Sequence, residues 1–102
     1  MRTAYITHPA CQLHDTGPAH PECAGRLYAI DDQLIASGLR DVLTYVDAPE
    51  VTAEQLLRVH TVKHVESVAA MIPDSGFGRL DPDTVVSPNS LLAAYRAAGA
   101  VV

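Results

Sequence analysis

The densest group of side chains that could do chemistry lies in the stretch "GPAHPECAGR", residues 17–26. It places an imidazole, a carboxylate, a thiol and a guanidinium close together in the chain: His20, Glu22, Cys23 and Arg26. An imidazole can move protons or bind a metal, and a guanidinium binds carboxylates through paired donors. The glycine and prolines around them are typical of a rigid loop, so the stretch is either a structural corner or the wall of a site.

Two further groups could bind a metal or change redox state. His60 and His64 have the i, i+4 spacing that can bind zinc from one helix face, but "HTVKH" lacks the glutamate that follows the first histidine of HExxH. We therefore interpret His60 as a packing or capping residue. Cys11 and Cys23 could form a redox pair or half a metal site, and without a secretion signal we interpret them as reduced thiols.

Length and charge limit the partners of the chain. Its 102 residues are enough for one small domain, and seven basic residues against twelve acidic ones give a net charge of -5. The basic residues are scattered, so we expect no direct nucleic-acid partner. No apolar stretch is long enough to cross a bilayer and the N-terminus lacks the features of a secretory signal, so we expect no membrane partner and a cytoplasmic location.

The first half of the sequence has the order strand, helix, strand. The pattern predicts a strand at residues 2–6, a long loop at 7–23, a helix at 25–37 that Gly38 ends, and a strand at 42–46. This order favours an α/β fold with a parallel sheet.

The second half is predicted to be mainly helical. Its signals, in chain order, are a capping box at Thr52 and Gln55, a helix cap at Thr61, a loop at 73–86 and a helix start at Ser87-Pro88. The apolar face of the last helix runs to Val102 without a cap or a polar tail. Because a parallel sheet needs cover on both faces and more than two strands, we expect residues 1–102 to be the front of a larger domain.

Four stretches in this order resemble the N-terminal third of the zinc-dependent histone deacetylase superfamily. They are "HPECAGRLYAI" from His20, "LLRVHTVKHVESV" from Leu56, "LDPDTVVSPNS" from Leu80, and "AAYRAAGAVV" at the end. The resemblance is to the bacterial members, which are histone-deacetylase-like amidohydrolases, acetoin-utilisation proteins and acetylpolyamine amidohydrolases. It implies an arginase-like three-layer α/β/α fold with a central parallel sheet, of which residues 1–102 form a single partial domain.

The resemblance also implies an activity for the complete domain. The family uses zinc to hydrolyse acetyl-lysine or acetylpolyamine-type amides, so the expected partner is an acetylated small molecule or an acetyl-lysine peptide. The family's zinc ligands, its catalytic histidine pair and its Gly-Gly-Tyr motif are absent from these residues. We therefore expect no catalytic residue and no metal in this chain alone. It is the leading segment of a deacetylase or a catalytically inactive truncated stub; a stand-alone binding module is least favoured.

By the same resemblance, the first loop contributes to the substrate tunnel. The loop with His20, Pro21 and Glu22 corresponds to one wall of the tunnel mouth, where a proline fixes the backbone. Arg26 matches the arginine that lines the channel through which acetate leaves, and paired guanidinium donors suit a carboxylate product. Without the resemblance, the same residues are explained by a rigid corner in which Glu22 lies near a helix N-terminus.

The second loop contains a candidate for binding the substrate's main chain. Asp83, with Asp81 as the next choice, matches the rim residue whose carboxylate accepts hydrogen bonds from the substrate's backbone amides. A carboxylate that accepts two N–H groups can orient an acyl-lysine. The alternative is that residues 81–84 are turn chemistry alone.

Overall fold

Two two-stranded sheets and four α-helices make up the computed structural model, which describes residues 2–102. The strands are β1 (Ala4–Thr7), β2 (Thr44–Asp47), β3 (Gly78–Asp81) and β4 (Thr84–Val86). The helices are α1 (Gly25–Ala36), α2 (Ala53–Leu56), α3 (Val62–Ala70) and α4 (Ser90–Val101), with short 3-10 helices at Pro9–Leu13 and Leu39–Val42. Within these residues, no helix combines the length and apolar character needed to cross a membrane.

The parallel pair predicted from the sequence is present. β1 and β2 run parallel, with Ala4 opposite Thr44 and Thr7 opposite Asp47, and α1 connects them. Gly38 follows α1 with a φ of +78°, a left-handed conformation that glycine adopts without steric cost. β2 begins two residues later than predicted because the apolar residues before it form the second 3-10 helix.

β1 is tied to α1 through a half-buried phenol. The Tyr5 hydroxyl donates to Asp31 Oδ1 at 2.9 Å, and the Tyr5 ring is tilted against the Tyr45 ring with centroids 5.0 Å apart. Burial, followed by the hydrogen bond and charge of Asp31, raises the pKa of Tyr5 to about 12. Both effects disfavour the phenolate, because it would be desolvated beside a carboxylate.

The two helix caps predicted in the second half are confirmed. Thr52 Oγ1 accepts the Gln55 N–H at 3.1 Å, and Gln55 Oε1 accepts the Thr52 N–H at 2.9 Å, which completes the capping box. Thr61 Oγ1 accepts the His64 N–H at 3.1 Å at the start of α3. The cap of α3 is therefore Thr61 and not His60.

The prediction of a simple loop at residues 73–86 was wrong. β3 and β4 form an antiparallel hairpin there, with an irregularity in register between Arg79 and Asp81. Strands of four and three residues are too short to show a clear alternation of apolar and polar residues, so the turn residues dominate the pattern. The helix start predicted at Ser87-Pro88 was also early, since α4 begins at Ser90.

The main chain that leaves β2 packs directly on α4. The Ala48 N–H donates to the Thr7 carbonyl at 2.7 Å, and the Val51 N–H donates to the Tyr95 carbonyl of α4 at 3.0 Å. Arg96 Nη1 donates to the Ala48 carbonyl at 2.9 Å. Ala48 is only 1% exposed, so this crossing segment, residues 48–51, joins the sheet to the last helix.

The buried core is small. Its apolar residues are alanines and valines, and none of the larger side chains of residues 2–102 is fully buried. The accessible surface is 7096 Å², whereas a folded monomer of this mass exposes about 5,600 Å². The radius of gyration is 15.3 Å, against about 13 Å for a compact domain of this length. The residues of this chain therefore leave apolar faces of its sheet and helices in solvent.

The crossing at α4 predicts a large effect for Gly99→Ala. A Cβ at Gly99 would lie 1.8 Å from the Pro49 carbonyl oxygen, so the crossing segment must move. We expect the free energy of unfolding, measured with urea, to fall by on the order of 3 kcal/mol, although alanine is the better helix former. The matched control is Gly25→Ala, because its Cβ would meet only the Cys23 sulfur at 3.7 Å. Equal stabilities for the two variants would contradict the packing.

The raised pKa of Tyr5 predicts a loss of stability in alkali. Between the ordinary pKa of 10.0 and the folded value of about 12, the unfolded state loses the Tyr5 proton before the folded state does. The Tyr5 phenol therefore makes its full contribution to the free energy of unfolding below pH 10.0, and this contribution is lost as the pH rises to about 12. We expect Tyr5→Phe to flatten the fall in unfolding free energy over this range. Tyr28→Phe, at a phenol 55% exposed, should leave it unchanged.

Candidate functional site

The turn between β3 and β4 is held by its own side chains. Asp81 Oδ1 accepts the Asp83 N–H at 2.9 Å, and Arg79 Nη1 donates to the Pro82 carbonyl at 2.7 Å. The pKa of Asp81 is lowered, first by the hydrogen bond from the Asp83 backbone and then by that from the Thr84 side chain. The Asp81 carboxylate is thus engaged within the turn.

His20 joins the first loop to this turn. Its Nδ1 accepts the Glu22 N–H at 3.0 Å, so Nδ1 is unprotonated and the proton of the neutral ring is on Nε2. Nε2 lies 3.1 Å from the Asp83 carbonyl oxygen and therefore donates to it. The same Nε2 is 3.5 Å from Asp83 Oδ1. The imidazole, 19% exposed, fills the space between loop and hairpin.

Asp83 has a fixed main chain and a solvent-exposed carboxylate, and the imidazole of His20 approaches one of its oxygens. Asp81 holds its N–H and His20 holds its carbonyl, while its side chain is 97% exposed. Of the two aspartates predicted as rim residues, Asp83 is therefore the one whose carboxylate is available to a ligand, because Asp81 uses its own in the turn.

The first loop is shaped by internal contacts. The Thr16 hydroxyl donates to the Glu22 carbonyl, and the Gly17 N–H donates to Asp15 Oδ1 at 2.9 Å. Ala19, directly before His20, has a φ of +82°, which costs an alanine on the order of 1 kcal/mol. Pro21 follows His20 on the exposed surface.

Arg26 and Glu22 line a cavity of about 440 Å³ on the other side of the loop. The Arg26 guanidinium pairs with the Glu22 carboxylate, and both side chains are about half exposed. Most of the other lining residues are apolar and come from α3, β4 and α4. Glu22, which was grouped with the rim residues in the sequence, thus lies beside Arg26 in the cavity wall.

A second link between the first loop and α4 was not predicted from the sequence. His14 Nδ1 lies 2.6 Å from Ser90 Oγ, which also accepts the Ser87 N–H at 2.8 Å. The Asp15 N–H donates to Ser87 Oγ at 3.1 Å. Both serines are buried, so these hydrogen bonds supply partners for their hydroxyls and for the backbone just before α4. His14 and Ser90 also line the cavity, so the cluster fixes one of its walls. The "SPNS" stretch was interpreted only as a helix start.

The remaining histidines and the cysteines do not assemble a metal centre. His60 and His64 are exposed, and their rings stack with centroids 4.9 Å apart. Cys11 and Cys23 are free thiols. Residues 2–102 contain no group of three or more histidine, cysteine or acidic side chains that could hold a metal ion. A catalytic zinc does not fit the described residues of this chain.

Comparison with known proteins identifies the family. Residues 20–102 match the family model of the histone deacetylase domain. An uncharacterized protein of Synechocystis sp. is 38% identical over 80 residues, which cover 76% of this chain and 26% of that protein. The histone deacetylase-like amidohydrolase of Pseudomonas aeruginosa is 29% identical over 118 residues, which cover 99% of this chain and 31% of that protein.

Solved structures agree with these matches. The crystal structure of the HDA15 HD domain superposes with a TM-score of 0.84 and 27% identity, over 98% of this chain and 30% of that one. The α/β fold class and the arginase-like fold predicted from the sequence are thereby confirmed. The chain spans between a quarter and a third of the length of these relatives. It belongs to the histone deacetylase family, and it corresponds to the N-terminal portion of that family's domain.

Proposed function

We propose that these residues are the N-terminal segment of a zinc-dependent deacetylase whose complete form hydrolyses acetyl-lysine or acetylpolyamine-type amides. Their part in this function is to supply the rim of the substrate tunnel. The observation that carries the proposal is the state of Asp83, whose carboxylate is 97% exposed while its main chain is held on both sides. The family match supports the type of reaction.

At the rim, the Asp83 carboxylate accepts two backbone N–H groups of the substrate. A charged acceptor makes stronger hydrogen bonds than a neutral one, and a fixed main chain reduces the entropy lost when the substrate binds. Pro21 and His20 form the facing wall, next to the turn that holds Asp83. Asp81 contributes indirectly, because its carboxylate shapes the turn.

Arg26 serves the acetate product on the inner side of the loop. Its guanidinium is half exposed and lies at the edge of a mainly apolar cavity. The contact with Glu22 is made by Nη2, so the other N–H donors of the guanidinium can bind a second carboxylate. Acetate, which carries one carboxylate and one methyl group, suits both the guanidinium and the apolar walls.

The alternative is an inactive stub, and the reading frame decides between the two. We expect the source DNA to continue beyond Val102 into a Pro-Gly followed by two histidines, and then into an Asp-x-His pattern. The natural gene product should then contain stoichiometric zinc and hydrolyse an acetylated amine. A stop codon directly after Val102, with neither zinc nor turnover in the purified product, would favour the stub.

Asp83→Ala tests the role of the rim in the natural gene product. Losing hydrogen bonds to a charged acceptor costs about 1.5–3 kcal/mol, so KM for an acetyl-lysine peptide should rise about tenfold or more. The values of kcat, and KM for a small acetylated amine without flanking backbone amides, should not change. Asp74→Ala is the matched control, since it removes an exposed carboxylate from the neighbouring loop. Equal increases in KM for both substrates would contradict the rim role.

A further inference from the structure

We propose that His20 is a positioning residue that sets the place of the Asp83 carboxylate on the rim. The inference rests on the proposed role of Asp83 as the acceptor of substrate amides. His20 acts on the main chain of residue 83 and not on the substrate, and it does so across 63 residues of sequence.

Both ring nitrogens of His20 are occupied. Nδ1 accepts from the Glu22 N–H at 3.0 Å, and Nε2 donates to the Asp83 carbonyl at 3.1 Å. A ring in this state has no free nitrogen with which to take a proton from a substrate or to bind a metal. The ring links the first loop to the tip of the hairpin and so fixes the distance between Glu22 and Asp83.

This link anchors the exposed tip of the hairpin, whereas β4 is anchored by the buried Val85 and Val86. The strands of the hairpin have four and three residues, their register is irregular between Arg79 and Asp81, and the turn between them is exposed. A two-stranded hairpin of this length is only marginally stable on its own. The contacts from Arg79 and Asp81 hold the turn from within, whereas His20 ties it to another part of the molecule.

The loop that carries His20 is rigid enough to act as the fixed end. Thr16 and Asp15 close it with hydrogen bonds, and Ala19 stays in a left-handed conformation immediately before His20. A non-glycine residue persists in that region when its surroundings hold it there. Here the imidazole, bonded at both nitrogens, is part of those surroundings.

Two substitutions separate the two bonds of the ring in the natural gene product. His20→Asn places an oxygen near the position of Nδ1 and keeps the bond from the Glu22 N–H, but it does not reach Asp83. His20→Gln places an amide N–H near the position of Nε2 and restores the bond to the Asp83 carbonyl. Each is measured for kcat and KM with an acetyl-lysine peptide and with a small acetylated amine, alone and combined with Asp83→Ala.

We expect His20→Asn to raise KM for the peptide about tenfold, toward the value for Asp83→Ala, with kcat unchanged. His20→Gln should stay within about twofold of the wild type because the bond to Asp83 is rebuilt. The double variant of His20→Asn with Asp83→Ala should be no worse than Asp83→Ala alone, since both changes remove the same interaction. Urea unfolding of each variant shows that it is folded.

The outcomes distinguish this inference from the proposed function. If Asp83→Ala raises KM for the peptide and His20→Asn does not, the positioning role is wrong and the rim role stands. If His20→Asn and His20→Gln both lower kcat for both substrates, His20 acts at the reacting centre and the positioning role is again wrong. If Asp83→Ala itself has no effect, the rim role fails and the positioning role fails with it.

Discussion

The close approach of two backbones at Gly99 is the constraint on which the other contacts depend. Without a Cβ at that position, residues 48–51 lie directly on α4, and the Val51 N–H finds the Tyr95 carbonyl at 3.0 Å. The same segment continues the β1–β2 ladder through Ala48, so α4 is fixed relative to the sheet. The first loop contacts α4 through the pair of His14 and Ser90. The β1–β2 sheet, the first loop and the cavity wall are therefore all attached to α4.

Local signals were sufficient wherever a few neighbouring residues decide the structure. The capping box of Thr52 and Gln55 is complete within one turn of helix, and the left-handed residue after α1 favours glycine because glycine has no Cβ. The hairpin was missed because its three- and four-residue strands are defined by their pairing with each other. In the sequence, the aspartates and proline between them indicate only a turn.

The candidate site residues come from the family resemblance, and their arrangement in space comes from the structure. The family resemblance favoured Asp83 over Asp81, and the structure adds a physical difference between them, since the Asp81 carboxylate turns back onto the backbone and that of Asp83 faces solvent. Glu22 was grouped with its sequence neighbours as a rim residue, and the structure shows in addition that it pairs with Arg26 four residues later and lines the cavity. The link from His20 to residue 83 joins positions 63 apart, and no local pattern encodes it.

The acceptor for His20 is a main-chain oxygen, and every amino acid has one. The hydrogen bond to that oxygen does not require a particular side chain at position 83, where the Asp83 carboxylate is 97% exposed and has Oδ1 3.5 Å from His20 Nε2. The contact that sets the local shape and the exposed side chain beside it are thus separate features of residue 83. A substitution that changes only this side chain can leave in place the hydrogen bond that holds the first loop to the hairpin.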